Sequence, residues 1–253
     1  MRITETVRAI RPGSGCIVYL IENEDGVMIV DTGSNAASAD RVVRYLTERL
    51  KRPLKDVTDI VLTHGHWDHA GGANRLRALT GARVSIHQND VPMLTGKPIE
   101  ERWFGRTLDG VEKRMKQVVF RLGYLGLGAW PGQVVPDRVF TGTVERLNQE
   151  WTVHSVPGHT PGCVALWSEK QRLLISGDTA VTVMGKVLPP LALLTEDGDQ
   201  IKESWRRLEA LGAPDWILPG HFTPIRYGRR LALPYSFRVV ADAVQSANQG
   251  AQP

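Results

Sequence analysis

Ten residues, Thr63-His64-Gly65-His66-Trp67-Asp68-His69-Ala70-Gly71-Gly72, constrain this chain more than any other stretch. Three histidines and an aspartate fall between positions 64 and 69. Imidazoles this close repel one another when protonated and lose hydration when buried. A divalent metal relieves both problems by binding them neutral. On a turn, the alternate residues His64 and His66 converge on one ion, and Asp68 and His69 point to a second position beside it. The spacing therefore predicts two metals.

Three distant residues complete a ligand count. His159 stands in Val156-Pro157-Gly158-His159-Thr160-Pro161-Gly162, Asp178 in Leu174-Ile175-Ser176-Gly177-Asp178, and His221 in Ile217-Leu218-Pro219-Gly220-His221. Each is a ligand type beside glycine, mostly after an apolar run, which reads as a ligand held in a tight loop at the end of a strand. Alone, each would be an ordinary turn residue; beside the histidine motif that reading loses. His87 and His154 read as ordinary strand histidines, packed or exposed.

Taken in this order, from Val30-Asp31-Thr32-Gly33 to His221, the motifs resemble those of the metallo-β-lactamase-fold hydrolases across essentially the whole chain. The resemblance implies an α+β, four-layer αββα sandwich with the metals at one edge between the sheets. It implies that His64, His66 and His159 hold one zinc, that Asp68, His69 and His221 hold the other, and that Asp178 bridges them. Asp31 falls outside the ligand count and is expected behind the ligands, fixing a loop or an imidazole N–H. Thr63 and Thr160 are expected to help orient the same groups.

The 253 residues, 42% of them hydrophobic, suit one sizeable domain spanning residues 1–253. A net charge of +4, from 31 basic and 27 acidic residues, is spread along the chain and predicts no nucleic-acid partner. Cys16 and Cys163 lie in apolar, strand-like contexts and read as buried free thiols of a reducing compartment. The N-terminus carries no signal-peptide pattern, and no apolar run is long enough to span a bilayer. A cytoplasmic, soluble protein is expected.

Strands are predicted over 15–22 and 27–31, then an amphipathic helix over 37–50, a short buried strand over 59–62, a helix near 73–79 and a strand over 83–87. Residues 89–139 depart from this alternation. They predict an inserted, mostly helical segment with a helix near 110–122, serving as a lid or a homodimer surface. Strands resume at 138–140, 151–156, 163–168 and 172–176. A helix over 199–211 is predicted with Asp199 as N-cap and Gly212 as stop. Residues 216–218 read as the last core strand, and a helix near 235–246 follows.

Histidine and carboxylate ligands suit zinc, with iron or manganese also admitted. Two such ions hold and acidify a bridging water, giving the attacking hydroxide and polarising a carbonyl or phosphoryl oxygen. The free carboxylate oxygen of Asp68 is placed to aim that water and shuttle its proton, a catalytic role. Asp178 stands where β-lactam-opening relatives usually have cysteine or serine, which argues against that activity. The 90-residue gap from His69 to His159 is longer than in compact glyoxalase II-like relatives and closer to lactonase- or aryl-esterase-like ones. Val181 stands where the comparable lactonases often carry tyrosine, a departure from their pattern. The leading expectation is a dinuclear zinc hydrolase of a small ester, lactone or thioester, with Trp103, Phe104 and Trp130 binding an apolar acyl or aryl part. The alternatives are a phosphodiesterase, ribonuclease or organophosphate esterase on the same site, and an iron-dependent persulfide dioxygenase-like member.

Overall fold

The computed structural model describes residues 1–13, 15–95, 134–191, 194–229 and 231. The predicted helices near 110–122 and 235–246, and Trp103, Phe104 and Trp130, lie outside these residues.

The first sheet runs β1 (Val7–Ile10), β2 (Val18–Asn23), β3 (Gly26–Val30), β4 (Val57–Val61), β5 (Arg83–His87) and β6 (Arg138–Phe140), side by side in chain order. Its first three strands pair antiparallel and the rest parallel. The parallel pairings need crossovers. These are supplied by α1 (Ala36–Arg44) between β3 and β4, and by α2 (Trp67–Ala70) and α3 (Ala73–Thr80) between β4 and β5. After β5 a 3-10 turn, Gln88–Asp90, leads into α4 (Val91–Leu94).

The second sheet contains β7 (Val144–Arg146), β8 (Trp151–Ser155), β9 (Val164–Ser168), β10 (Leu173–Gly177), β13 (Trp216–Pro219) and β14 (Ile225–Arg226), with β13 parallel to β10 and the other neighbours antiparallel. A hairpin of β11 (Val181–Val183) and β12 (Lys186–Leu188) stands apart from it. The crossover from β10 to β13 carries α5 (Gly198–Ala210).

Successive side chains of a strand face opposite ways, and here both faces are apolar. Val18, Leu20, Val27 and Ile29 pack outward against Ala39 and Val42 of α1 and Ala73 and Leu76 of α3. Tyr19, Ile21, Met28 and Val30 point inward to Val164, Leu166, Leu173 and Ile175 of the second sheet. Ala165, Trp167 and Leu174 face the far side, against Ile201, Trp205 and Leu208 of α5. Three apolar layers between helix, sheet, sheet and helix make the αββα sandwich.

The sequence reading needs several corrections. The helix expected over 37–50 is α1 followed by a wider π turn, Tyr45–Arg49, closed by Leu50 N donating to Tyr45 O at 3.1 Å. Asp197, not Asp199, caps α5; its carboxylate accepts from the backbone N–H of Asp199 and of Gln200, each at 3.0 Å. Asp197 has the extended backbone a cap needs, whereas Asp199 already lies in the first turn. The strand 216–218 is not the last, since β14 pairs beyond it. The edge strands β1 and β7 were not anticipated.

Candidate metal centre

The candidate ligands, and Asp31 behind them, sit in the segments that follow the C-terminal ends of strands, with Asp68 and His69 in the short helix α2. Asp31 follows β3, the histidine loop follows β4, His159 follows β8, Asp178 follows β10 and His221 follows β13. Strands of the two facing sheets thus deliver their ends to one edge of the sandwich. Gly220 allows the last approach. A Cβ there would strike Asp178 Oδ1 and lie 2.6 Å from His69 Cε1, so any side chain at 220 would occupy the centre.

Within the centre, His64 Nε2 and His159 Nε2 each lie 3.0 Å from His66 Nδ1. These three buried imidazoles form one set of convergent donors. Asp68, His69 and His221 form a second: His221 Nε2 is 3.1 Å from Asp68 Oδ2 and 3.3 Å from His69 Nε2. Asp178 reaches both. Its Oδ2 is 3.5 Å from His159 Nε2 and 3.4 Å from His221 Nε2, and its Oδ1 is 3.5 Å from His69 Nε2. Oδ1 of Asp178 and Nδ1 of His159 are buried without a hydrogen-bond partner among the described residues. A buried carboxylate oxygen in that position is costly. Imidazole lone pairs converging beside it are the donor set a divalent cation completes, so the residues fit such a group.

Behind the ligands, Asp31 acts on both sets. Its carboxylate accepts the Thr63 backbone N–H at 2.8 Å and the Thr63 hydroxyl at 2.9 Å. With its proton given to Asp31, Thr63 Oγ1 accepts from His64 Nδ1 at 3.1 Å, and that leaves the Nε2 lone pair facing inward. His69 Nδ1 donates directly to Asp31 Oδ2 at 2.8 Å, with the same consequence for its Nε2. Thr32 fixes the backbone of the same residue: its N–H and hydroxyl donate to His69 O at 2.7 and 2.6 Å.

The Thr160 hydroxyl is directed to Asp90 rather than to a candidate ligand. It donates to Asp90 Oδ2 at 2.7 Å and lies 3.1 Å from Cys163 Sγ. Cys163 joins none of the ligand clusters among the described residues. Cys16 does approach His69 and Asp31, and burial pushes its thiol up to about 11, which keeps it protonated. His87 caps the turn after β5 by accepting from Asn89 N, and His154 lies beside the Thr152 hydroxyl; both stand apart from the ligand clusters.

The two sets differ electrostatically. Burial, with repulsion between neighbouring imidazoles, holds His64, His66 and His159 below the ordinary histidine value, in the neutral form that binds metal. Burial also opposes a charge on His69 and His221, but the carboxylates of Asp178, Asp31 and Asp68 around them overcome it. His69 is raised well above its usual value and His221 to about 9. Asp68, which burial would raise, is brought down to about 2 by His69 and His221. The side chains of Asp68 and His221 remain 19% and 30% exposed, so this second set faces solvent and the three-histidine set lies beneath it.

A model described as the metallo-beta-lactamase superfamily matches residues 11–221. The chain belongs to that superfamily. A probable metallo-hydrolase, YflN of Bacillus subtilis (strain 168), is 30% identical over 222 residues, 82% of this chain and 81% of its own. A hydroxyacylglutathione hydrolase of Methylobacterium nodulans is 30% identical over 204 residues, 78% of this chain but 61% of its own. Among solved structures, BLEG-1 B3 metallo-beta-lactamase superposes with a TM-score of 0.63 at 20% identity, covering 87% of this chain and 93% of its own. TTHA1623 in a di-iron-bound form gives 0.62 at 23%, with the same coverage. At these identities the structures speak for the fold alone. No described helix is long and apolar enough to cross a membrane.

Proposed function

We propose that this superfamily member is a dinuclear metal hydrolase of a small-molecule carboxylic ester, lactone or thioester. The observation that carries this reading is Asp178. One carboxylate faces a complete three-histidine set on one side and a complete Asp-His-His set on the other. A mononuclear enzyme has no use for the second set.

His64, His66 and His159 would hold one ion, and Asp68, His69 and His221 the other, with Asp178 between them. Two divalent ions supply an acidified water and a Lewis acid for the developing oxyanion. The protein's residues do the rest. Asp31 and Thr63 fix the tautomers of His64 and His69. Asp68, on the solvent side of the centre, would aim that water with its free carboxylate oxygen and relay its proton to the leaving group.

An acyl substrate is favoured over a phosphoryl one on three grounds. One relative is named for hydrolysing hydroxyacylglutathione, an acyl compound. Phe222, directly after His221, is 55% exposed and bridges to Thr182 of the β11–β12 hairpin, an apolar lip beside the open half of the centre. The net charge is too small and too dispersed to form a channel for a nucleic-acid backbone.

Elemental analysis of the purified protein, followed by a panel of acyl lactones, aryl esters and thioesters, tests the proposal. Near two zinc ions per chain with hydrolysis above a metal-free control is expected. Asp178→Ala should lower metal content and hydrolysis together. About one iron per chain with persulfide turnover would replace this reading with dioxygenase chemistry, and activity on phosphodiesters alone would move it to phosphorus.

A further inference from the structure

Asp90 belongs to no ligand set, yet it is fully buried. It closes the 3-10 turn after β5, and its carboxylate joins the two loops that carry the three-histidine set. Oδ2 accepts the Gly65 N–H at 2.8 Å, between His64 and His66. The same oxygen accepts the Thr160 hydroxyl at 2.7 Å, one residue after His159. Oδ1 accepts the Gly162 N–H at 2.7 Å. A Cβ at 162 would lie 2.5 Å from that carboxyl, so the second loop must be glycine there for the approach to occur. A buried charge is tolerated only when it is this fully hydrogen-bonded, and such bonds are the strong ones.

The β4 loop and the His159 loop come from different sheets. Val164 N donates to Thr63 O at 2.8 Å at the root of both loops. Asp90 ties them further out, at the level of the ligands. These three bonds go to Gly65, Thr160 and Gly162, the loops of the three-histidine set. Asp68 and His69 are carried by the short helix α2, Thr32 and Asp31 hold His69, and His221 follows β13 in the second sheet.

We propose that Asp90 is a positioning residue that sets the affinity of one metal site only, the one formed by His64, His66 and His159. The inference rests on the dinuclear reading above. It deepens that reading by giving the two ions separate supports: Asp31 serves both sets, and Asp90 serves the inner one alone. Loss of Asp90 frees the spacing between His66 and His159 while the Asp68–His69–His221 geometry persists.

The test is stepwise zinc binding to the full chain, measured by competition with a chromophoric chelator. His159→Ala and His221→Ala identify which step belongs to which set. Asp90→Asn keeps the size but has one acceptor oxygen, so either Gly65 N–H or Gly162 N–H is left facing an NH2 donor and the clamp loses one of its two backbone bonds. Its expected effect is a roughly 10–100-fold weakening of the step that His159→Ala abolishes. The step that His221→Ala abolishes should not change. Thr160→Val, which removes one of the bonds, should move the same step in the same direction by less, and it serves if Asp90→Asn does not fold. Parallel weakening of both steps would mean a general structural role and overturn the proposal, as would no change in either. A wild-type chain that binds a single zinc would overturn the dinuclear reading itself, and the two failures are thereby distinguished.

Discussion

The carboxylate of Asp31 meets Nδ1 of His69 at 2.8 Å, and it does so from a backbone in the left-handed region, at φ 61. A residue other than glycine held there stores about 1–3 kcal/mol of strain, which persists only where its surroundings over-determine it. Here they do, because the carboxylate also accepts from both the backbone N–H and the hydroxyl of Thr63. The strain places one acid where it governs an imidazole from each ligand set.

Asp31→Asn should therefore weaken both metal sites. The amide retains one acceptor oxygen and turns an NH2 group toward a donor. Each zinc dissociation constant is expected to rise roughly 10–100-fold, read by chelator competition. Wild-type affinity at both sites would show that His64 and His69 hold their tautomers without Asp31.

Proton release should accompany metal binding, unequally between the sets. His221 is raised to about 9 and His69 lies well above its usual value, so both carry protons at neutral pH. His64, His66 and His159 are shifted down and arrive neutral. Metal entering the Asp68–His69–His221 set must displace protons, so its affinity rises with pH, by about tenfold per unit for each proton released, until His221 is titrated near 9. Calorimetry in buffers of differing ionisation heat should show proton release on filling this set and little on filling the other. Binding heats independent of buffer for both would sink the prediction.

Gly220→Ala should disable the centre through a single methyl group. That carbon would occupy the space of Asp178 Oδ1 and press on the His69 ring. Metal content and hydrolysis should fall together. Gly198→Ala, where a Cβ meets nothing within 4 Å, should leave both unchanged. An active, fully loaded Gly220→Ala protein would mean that the ligands close differently.

Much of this centre was legible in the sequence because four ligands are crowded into residues 64–69 and the other three each stand beside a glycine after an apolar run. Their convergence followed from two sheets meeting at one edge. Asp90 was not legible. It sits in Gln88-Asn89-Asp90, which reads as a polar turn, and its partners lie 25 to 72 residues away. Nothing in local spacing announces such a bond. The approach of Cys16 to His69 was hidden for the same reason, since β2 and the histidine loop meet only in three dimensions. The short strands β1, β7 and β14 escaped because two to four residues are too few to display a period.

The cap of α5 offers a separate check in which sequence and structure disagree. Two acids, Asp197 and Asp199, flank Gly198, and the sequence reads with the second as cap. In the fold, Asp197 Oδ1 accepts two of the orphan N–H groups that open the helix, while Asp199 pairs on the exposed surface with Lys202 at 2.9 Å. Asp197→Ala should cost about 1 kcal/mol in thermal or denaturant unfolding. Asp199→Ala should change stability by at most about 0.5 kcal/mol, the scale of an exposed pair on a helix. The effect extends beyond the helix. Asp197 N donates to Gly158 O at 2.9 Å, so the cap is anchored to the loop that carries His159. If the ordering were reversed, with Asp199→Ala the more damaging variant, the helix would begin two residues later, at Gln200, and that anchor would be lost with it.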